Sequence, residues 1–389
     1  MNVLFTSSPG LGHVHPMVPL ARALADRGHD VRWAVPDDVH PRLQAAGFAT
    51  FSAGLDVATR SAEFSRLVAS FSSLPPEERP DRLFPAYFGA VSPPAMLADL
   101  LGVVEVWPPA LVVSDMSELA GPLAAAVRGI PHVAHGFGPL LPAHRVAAAA
   151  TEVAPLWRAH GLEPAPYGGV FDLLYLDIYP PALRSGPYDH APHVQSLRPV
   201  PFDAGGAGED RAGPVVAGSR PLVYVTFGTV FNTGGPFPAA VAGAARLDVD
   251  VLVTVGPTGD PGALGPLPPN VRVERYVPQT ALLPQCSVVA SHAGSGTFLA
   301  SIGLGIPQLC LPQAADQFIN GARGAAAGAA LTLGPAEMSA DAVSGALHRL
   351  LHEPAFADRA RQIGAEIAAM PSPDEVAMVL EGLPATWGQ

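Results

Sequence analysis

Apolar residues in this chain fall into short continuous runs that alternate with stretches of helical period. Val3 to Thr6 reads as a buried strand. Beyond a glycine-containing loop, Met17, Leu20, Ala21 and Leu24 recur at helical spacing; Pro16 stands where proline opens a helix and Gly28 where glycine closes one. Asp30 to Val35 predicts the next strand and Leu111-Val112-Val113 another. A helix over Glu118 to Arg128 and a strand over His132 to Ala134 follow. Strand-helix alternation of this kind implies a parallel sheet covered on both faces.

Phe202 to Arg220 interrupts the alternation with Asp203-Ala204-Gly205-Gly206-Ala207-Gly208 and little that can pack, as a linker would. The pattern then restarts. Strands are expected at Leu222–Phe227, Val251–Val255, Val271–Tyr276, Val288–Ser291 and Gln308–Leu311. Helices are expected at Pro238–Leu247 and Thr297–Leu304, and from a Ser339 cap to about His352. The expected class is α/β, with two Rossmann-like β/α/β domains. Their boundaries are 1–202 and 221–370, with a linker over 203–220 and a terminal helix within 371–389.

A length of 389 residues agrees with two cores, and 49% hydrophobic against 14% charged residues supplies them. Net charge is -12, and every one of the 22 basic residues is Arg, with no basic run. Nucleic acid is therefore not an expected partner, and any phosphate must be held by local donors. The two cysteines, Cys286 and Cys310, lie in apolar surroundings and suit reduced thiols in a cytoplasmic protein. No signal peptide and no membrane span are expected from the pattern.

Candidate chemistry sits in loops at strand ends. Pro9 to Pro16 joins the first strand to the first helix, in the crevice where open α/β sheets bind ligands. Gly10 and Gly12 match two glycines of a dinucleotide loop, and Asp37 and Asp38 stand where a ribose-binding acid would. His15 replaces the third glycine, however, and Pro16 follows it, so NAD binding is disfavoured. His13, read as standing just before a helix N-terminus, is kept neutral and able to accept a proton; the alternative is a histidine that satisfies a turn. A metal on His13 and His15 lacks further ligands. Asp115, at another strand end, is either the carboxylate that supports such a base or a helix cap completed by Glu118.

Val288 to Thr297 is the most informative segment. A strand runs through His292-Ala293-Gly294-Ser295-Gly296-Thr297 into a helix, which offers backbone N–H groups and the Ser295 and Thr297 hydroxyls to an anion. A glycine turn needed for packing alone is the other reading. Asp316 and Gln317, after a further strand, can bond sugar hydroxyls or cap a helix. Asp248-Val249-Asp250 resembles a metal-binding Asp-x-Asp but reads as a solvated turn, and His132 and His135 lack partners. Phe71, Phe84, Tyr87 and Phe88, among the Pro-rich turns of 64–88, line an apolar pocket or belong to the core. The segment Gly136–Arg145 is a second candidate wall.

Taken in order, Gly12-His13-Val14-His15-Pro16, Tyr276-Val277-Pro278-Gln279, His292 through Thr297, and Asp316-Gln317 resemble the family 1 glycosyltransferases of the GT-B fold, of the actinomycete antibiotic type. Asp177-Ile178-Tyr179-Pro180-Pro181 is similar to the calicheamicin-type sugar transferases within that group. The resemblance covers nearly the whole chain. It implies two domains facing across a cleft, with the acceptor in the N-terminal one, the nucleotide sugar in the other, and the last helix crossing back to the first. By the same resemblance His13 would be the base and Asp115 its partner. His292, Gly294, Ser295, Gly296 and Thr297, with Gly12 and Thr229 nearby, would hold the diphosphate. Tyr276, Val277 and Gln279 would meet the nucleobase, and Asp316 and Gln317 the sugar. The expected reaction is an inverting transfer, without metal or other cofactor, to a hydroxyl of a small hydrophobic aglycone.

Two departures bear on the donor. Tyr276 stands where many members carry Trp. Ala300 stands where UDP-using relatives carry a ribose-binding Glu, so a TDP-sugar is expected over a UDP-sugar. The rival readings are a GT-B sugar-nucleotide epimerase or hydrolase, a NAD-dependent oxidoreductase, and a non-enzymatic partner that activates another transferase. A homodimer is among the assemblies the sequence allows.

Overall fold

A computed structural model describes residues 1–186, 188–203, 218–228, 236–256 and 259–386, with side chains through Leu383. Most of the expected linker, and Thr229, lie outside the described residues. The chain divides into two compact units: Met1–Tyr179 with Gly186–Ala204 and Met370–Gln389, and Pro180–Ser185 with Gly205–Ala369.

The first unit holds strands β1 (Asn2–Thr6), β2 (Asp30–Val35), β3 (Ala49–Ser52), β4 (Leu111–Asp115), β5 (His132–His135), β6 (Leu174–Asp177) and β7 (Val194–Ser196). They form one parallel sheet in the order β3-β2-β1-β4-β5-β6-β7. Every residue of β4 is buried, as expected of a central strand with helices on both faces. The strand order reverses between β1 and β4, which opens a crevice at their C-terminal ends.

Two local expectations change here. The helical path after β1 does not begin at Pro16. The Gly10 carbonyl accepts from the N–H groups of His13 and Val14 at 2.9 and 3.1 Å, so one helical turn forms over Leu11–Val14. A 3₁₀ turn, His15–Met17, absorbs Pro16 before the helix Val18–Asp26. His13 therefore lies inside the first turn, not ahead of it. The helix after β4 starts at Ala120, and its cap is Glu118: Oε1 accepts from the Ala120 N–H at 2.8 Å and Oε2 from the Gly121 N–H at 2.9 Å. Asp115 is not a cap.

The terminal helix Pro373–Thr386 belongs to this first unit, with Val376, Ala377 and Leu380 buried. The Arg27 guanidinium grips both oxygens of Glu381 at 2.7 and 3.0 Å. His29 Nε2 lies 2.9 Å from Glu381, and the N-terminal ammonium 3.1 Å from His29 Nδ1. The Arg27 and His29 hydrogen bonds hold the Glu381 carboxyl down to about 2.

The second unit repeats the scheme with β8 (Leu222–Thr226), β9 (Asp250–Thr254), β10 (Val271–Glu274), β11 (Val288–Ser291), β12 (Gln308–Cys310) and β13 (Ala330–Thr332). The sheet is parallel, in the order β10-β9-β8-β11-β12-β13, and reverses between β8 and β11. Among the described residues no single helix is long and apolar enough to cross a membrane.

Burial keeps several histidines neutral: His132 is pushed down to about 3, and His15, His135 and His292 to about 4, from an ordinary 6.5. The unfolded chain binds these protons first, so stability falls as pH drops from 6.5 toward 4. Glu118, raised to about 7 chiefly by burial, works in the opposite sense between 7 and 4.5 but is a single group. The thermal midpoint should therefore fall by several degrees between pH 7.5 and pH 4.5; a midpoint that holds or rises across that interval would contradict the assignment.

Candidate active site

At the first reversal, the end of β1 meets the end of β4. The Asp115 carboxylate is fully buried there. Its oxygens accept from the Ser8 N–H at 2.7 Å, the Ser117 N–H at 2.8 Å and the Ser117 hydroxyl at 2.6 Å. Burial alone would raise its pKa. The charge and hydrogen bond of His13 and the bonds from Ser117 and Ser8 outweigh burial and hold the carboxyl below its ordinary value.

His13 Nδ1 lies 3.2 Å from Asp115 Oδ1 and 3.1 Å from Ser117 Oγ. The Ser117 hydroxyl gives its proton to Asp115, so its oxygen is free to accept. Both neighbours of Nδ1 are then acceptors, which fixes the proton on Nδ1 and leaves the lone pair on Nε2. The ring is one-fifth exposed. Phe137 lies 4.4 Å from it and Phe88 5.8 Å, centroid to centroid.

Phe88 comes from a π-helical turn, Pro85–Val91. Gly89 lets that turn lie against the helix Ala143–Ala159: an added Cβ would fall 2.6 Å from the Ala149 carbonyl oxygen. Rings continue outward from Phe88 through Phe84 at 4.9 Å and Tyr87 at 5.0 Å to Phe64, 5.4 Å beyond Tyr87. Segments 64–88 and 136–145 thus both contribute rings beside His13.

The other first-unit candidates are bonded within the fold. His132 Nε2 lies 2.8 Å from Ser114 Oγ, and His135 Nδ1 donates to the Gly136 carbonyl at 2.6 Å. Gly12 is exposed, one residue before His13.

At the second reversal, β11 runs into His292-Ala293-Gly294 and the helix Ser295–Gly303. The His292 ring fits between two glycines. A Cβ on Gly228 would lie 2.8 Å from its Cε1, and one on Gly294 2.5 Å from its Nε2. Burial holds the ring neutral, outweighing a bond that the ring gives to the Thr226 backbone, and its buried Nδ1 has no hydrogen-bond partner. The N–H groups of Ser295, Gly296 and Thr297 lie in the first turn, where no intrahelical acceptor exists.

Of the two hydroxyls expected to add donors, Ser295 gives its proton within the protein, whereas Thr297 serves as an acceptor there. Ser295 donates to Asp316, and Thr297 Oγ1 accepts from Gln279 Nε2 at 3.0 Å. The Gln317 carbonyl oxygen accepts from the Gln313 and Ala314 N–H groups at 2.8 and 2.9 Å, so it shapes the preceding loop. Val277 is buried and Tyr276 half-buried, just past the end of β10. Asp250 pairs with Arg220 and Asp248 is exposed, so Asp248-Val249-Asp250 is a surface pairing. Among the described residues no group of three or more His, Cys, Asp or Glu is gathered to hold a metal.

Ser8, Ser117, Phe137 and Asn320 were not singled out by the sequence. Ser117 carries a weak signal, two residues beyond Asp115, where an aspartate turns its own backbone. Asn320 stands one helical turn past Asp316.

Comparison with known proteins matches residues 22–212 to the N-terminal domain, and residues 239–383 to the C-terminal domain, of the Erythromycin biosynthesis protein CIII-like family. The chain is 34% identical to the elloramycin glycosyltransferase ElmGT of Streptomyces olivaceus over the whole of both chains. It belongs to this family of antibiotic glycosyltransferases. The L-demethylnoviosyl transferase of Streptomyces niveus is also 34% identical, over 99% of this chain and 98% of that one. Among solved structures, the spinosyn rhamnosyltransferase SpnG superimposes with a TM-score of 0.82 at 31% identity, covering 98% of this chain and 100% of that one. VinC, solved in complex with DTDP, gives 0.79 at 28% identity, covering 99% and 100%. The two parallel-sheet units of this glycosyltransferase are those of the GT-B fold.

The glycines around His292 give a test of the site's packing in this glycosyltransferase. Gly294→Ala drives a Cβ into His292 Nε2, whereas a Cβ on Gly296 meets nothing within 4 Å. Gly294→Ala should cost about 1–3 kcal/mol in denaturant unfolding, and Gly296→Ala should cost less than Gly294→Ala by a clear margin. Equal effects would mean that His292 does not occupy this slot.

Proposed function

We propose that this glycosyltransferase moves a deoxysugar from a thymidine diphosphate donor to a hydroxyl of a small, ring-bearing hydrophobic aglycone, with inversion. The observation that carries the reading is His13. Its Nδ1 proton is fixed by Asp115 and Ser117, and its ring stands among Phe88 and Phe137. In this reading Nε2 takes the acceptor's hydroxyl proton as the oxygen bonds the anomeric carbon. The bond from that carbon to the diphosphate oxygen breaks, and its electrons leave with the diphosphate. Asp115 stabilises the imidazolium that forms.

Charge on the departing diphosphate would meet the first-turn N–H groups of Ser295, Gly296 and Thr297 and the side chain of His292, donors that are fixed before reaction. A donor site built this way requires no metal ion. Tyr276, Val277 and Gln279 would hold the base and Asp316 the sugar. The relatives VinC and SpnG, both solved with thymidine diphosphate, support the nucleotide. Ala300, buried and without a polar group, supports it from within the chain, because it offers nothing to a ribose 2'-hydroxyl. The ring series from Phe88 to Phe64, and the spinosyn aglycone bound by SpnG, support the acceptor class. We infer a cytoplasmic location, to which the two free cysteines, with thiols pushed by burial to about 12, are suited.

His13→Ala should lower kcat by about two to four powers of ten while calorimetry finds TDP affinity within about twofold of the parent. Retained turnover would remove the base assignment. In a donor panel, TDP-deoxysugars should be used well and UDP-glucose poorly; preference for UDP-glucose over every TDP-sugar would overturn the Ala300 argument.

A further inference from the structure

Among the described residues of the second unit, two hold left-handed backbone without being glycine: Ala293 at φ 61° and Ala315 at φ 55°. A Cβ makes that conformation costly, and it persists where surrounding contacts over-determine it. Ala293 follows His292 in the loop after β11. Ala315 precedes Asp316 in the loop after β12. The two strained positions therefore flank the diphosphate-facing and sugar-facing groups of the proposed donor site.

One side chain joins the loops. Asn320 is fully buried on the helix Gln317–Ala326. Its Nδ2 lies 2.9 Å from the Ala293 carbonyl oxygen, 2.9 Å from Ser295 Oγ and 3.2 Å from Asp316 Oδ2. The first contact fixes the strained peptide itself. The second and third engage the two partners of the Ser295–Asp316 hydrogen bond. A carboxamide NH₂ suits this place because all three neighbours can accept. A carboxylate there would face two oxygens with no proton to give.

We infer that Asn320 is a positioning residue for the donor. It holds Ala293 in its left-handed conformation, so that the N–H groups after it point at the diphosphate, and ties Asp316 to the same loop, so that sugar and diphosphate are recognised as one rigid unit. The inference rests on the proposed nucleotide-sugar reading of this site. Loss of Asn320 releases the Ala293 peptide and separates the two loops. The effect falls on the donor and spares the acceptor.

The test uses the full chain, with TDP binding by calorimetry and steady-state kinetics. Asn320→Ala should weaken TDP by about tenfold or more and raise the donor KM in proportion, with the acceptor KM unchanged. Adding Ala293→Gly should then recover several-fold of the lost TDP affinity, and more than the same change yields in the parent, because glycine adopts φ near 60° without cost. A merely structural role predicts no such recovery and no split between the two KM values. If Asn320→Ala fails to fold, Asn320→Leu fills the same volume without charge, removes the donor and carries the same expectations. TDP affinity within twofold of the parent in a folded variant, or loss that Ala293→Gly does not recover, would overturn the inference. Failure of the parent itself to bind TDP is a separate result, which removes the site reading and this inference with it.

Discussion

The first unit is organised around a buried negative charge. Asp115 has no contact with solvent, and an isolated carboxylate there would cost several kcal/mol unless it were hydrogen-bonded. Its donors come from three places: Ser8 beyond β1, Ser117 beyond β4, and His13 in the turn that follows Ser8. Those segments are adjacent because the strand order reverses between β1 and β4. Satisfying the carboxylate and orienting the imidazole are one requirement. The bonds that keep Asp115 ionised also put the proton on His13 Nδ1. Glu118, three residues on, caps the helix and leaves Asp115 free of that task.

The second unit meets its own strand reversal with an uncharged solution. No Lys exists in the chain, and in this unit Arg220, Arg246, Arg272, Arg349 and Arg361 each pair with a carboxylate. Opposite β8, the loop after β11 instead carries a neutral histidine between two glycines and a helix start with open N–H groups. Dipoles of this kind are fixed by the backbone and need no flexible cation, so they stabilise charge without reorganising as it develops. The same sheet topology thus supports a buried carboxylate with its histidine in one unit and a field of oriented amides in the other.

The central strands were legible in the sequence because parallel strands buried on both faces are unbroken apolar runs, as in Leu111-Val112-Val113 and Val288-Val289-Ala290. The edge strands β3 and β7 gave no such signal, since β3 has no fully buried residue and β7 is three residues long, whereas the edge strand β10 was expected at Val271–Tyr276. Pro16 marked a helix start five residues late in its path, because the turn over Leu11–Val14 is started by the Gly10 carbonyl, which no residue pattern announces. His13, Asp115 and the loop from His292 stood out because their residue types are unusual at strand ends. Ser117 and Asn320 did not, since each acts through residues distant in the chain: Ser117 on His13, 104 positions away, and Asn320 on Ala293, 27 away. The sequence did not announce that Ser295 would donate to Asp316 or that Thr297 Oγ1 would accept from Gln279, because both partners lie far along the chain.

Alanine at the two left-handed positions is informative in itself. Glycine would relieve the strain at Ala293 and Ala315 but would enlarge the unfolded ensemble and soften the loop. Alanine keeps the alternatives few, provided that something holds the strained conformer. At Ala293 the Asn320 carboxamide holds the carbonyl and the Ser291 hydroxyl accepts from the N–H at 3.1 Å. At Ala315, the Gln317 carbonyl oxygen fixes the two preceding N–H groups. The Ala293 peptide groups are thus pinned by side chains from neighbouring elements, and the residues just before Ala315 by the Gln317 side chain. Loops pinned this way need little further ordering when a ligand binds. In the proposed donor site, the backbone after His292 and before Asp316 is held by the buried carboxamides of Asn320 and Gln317.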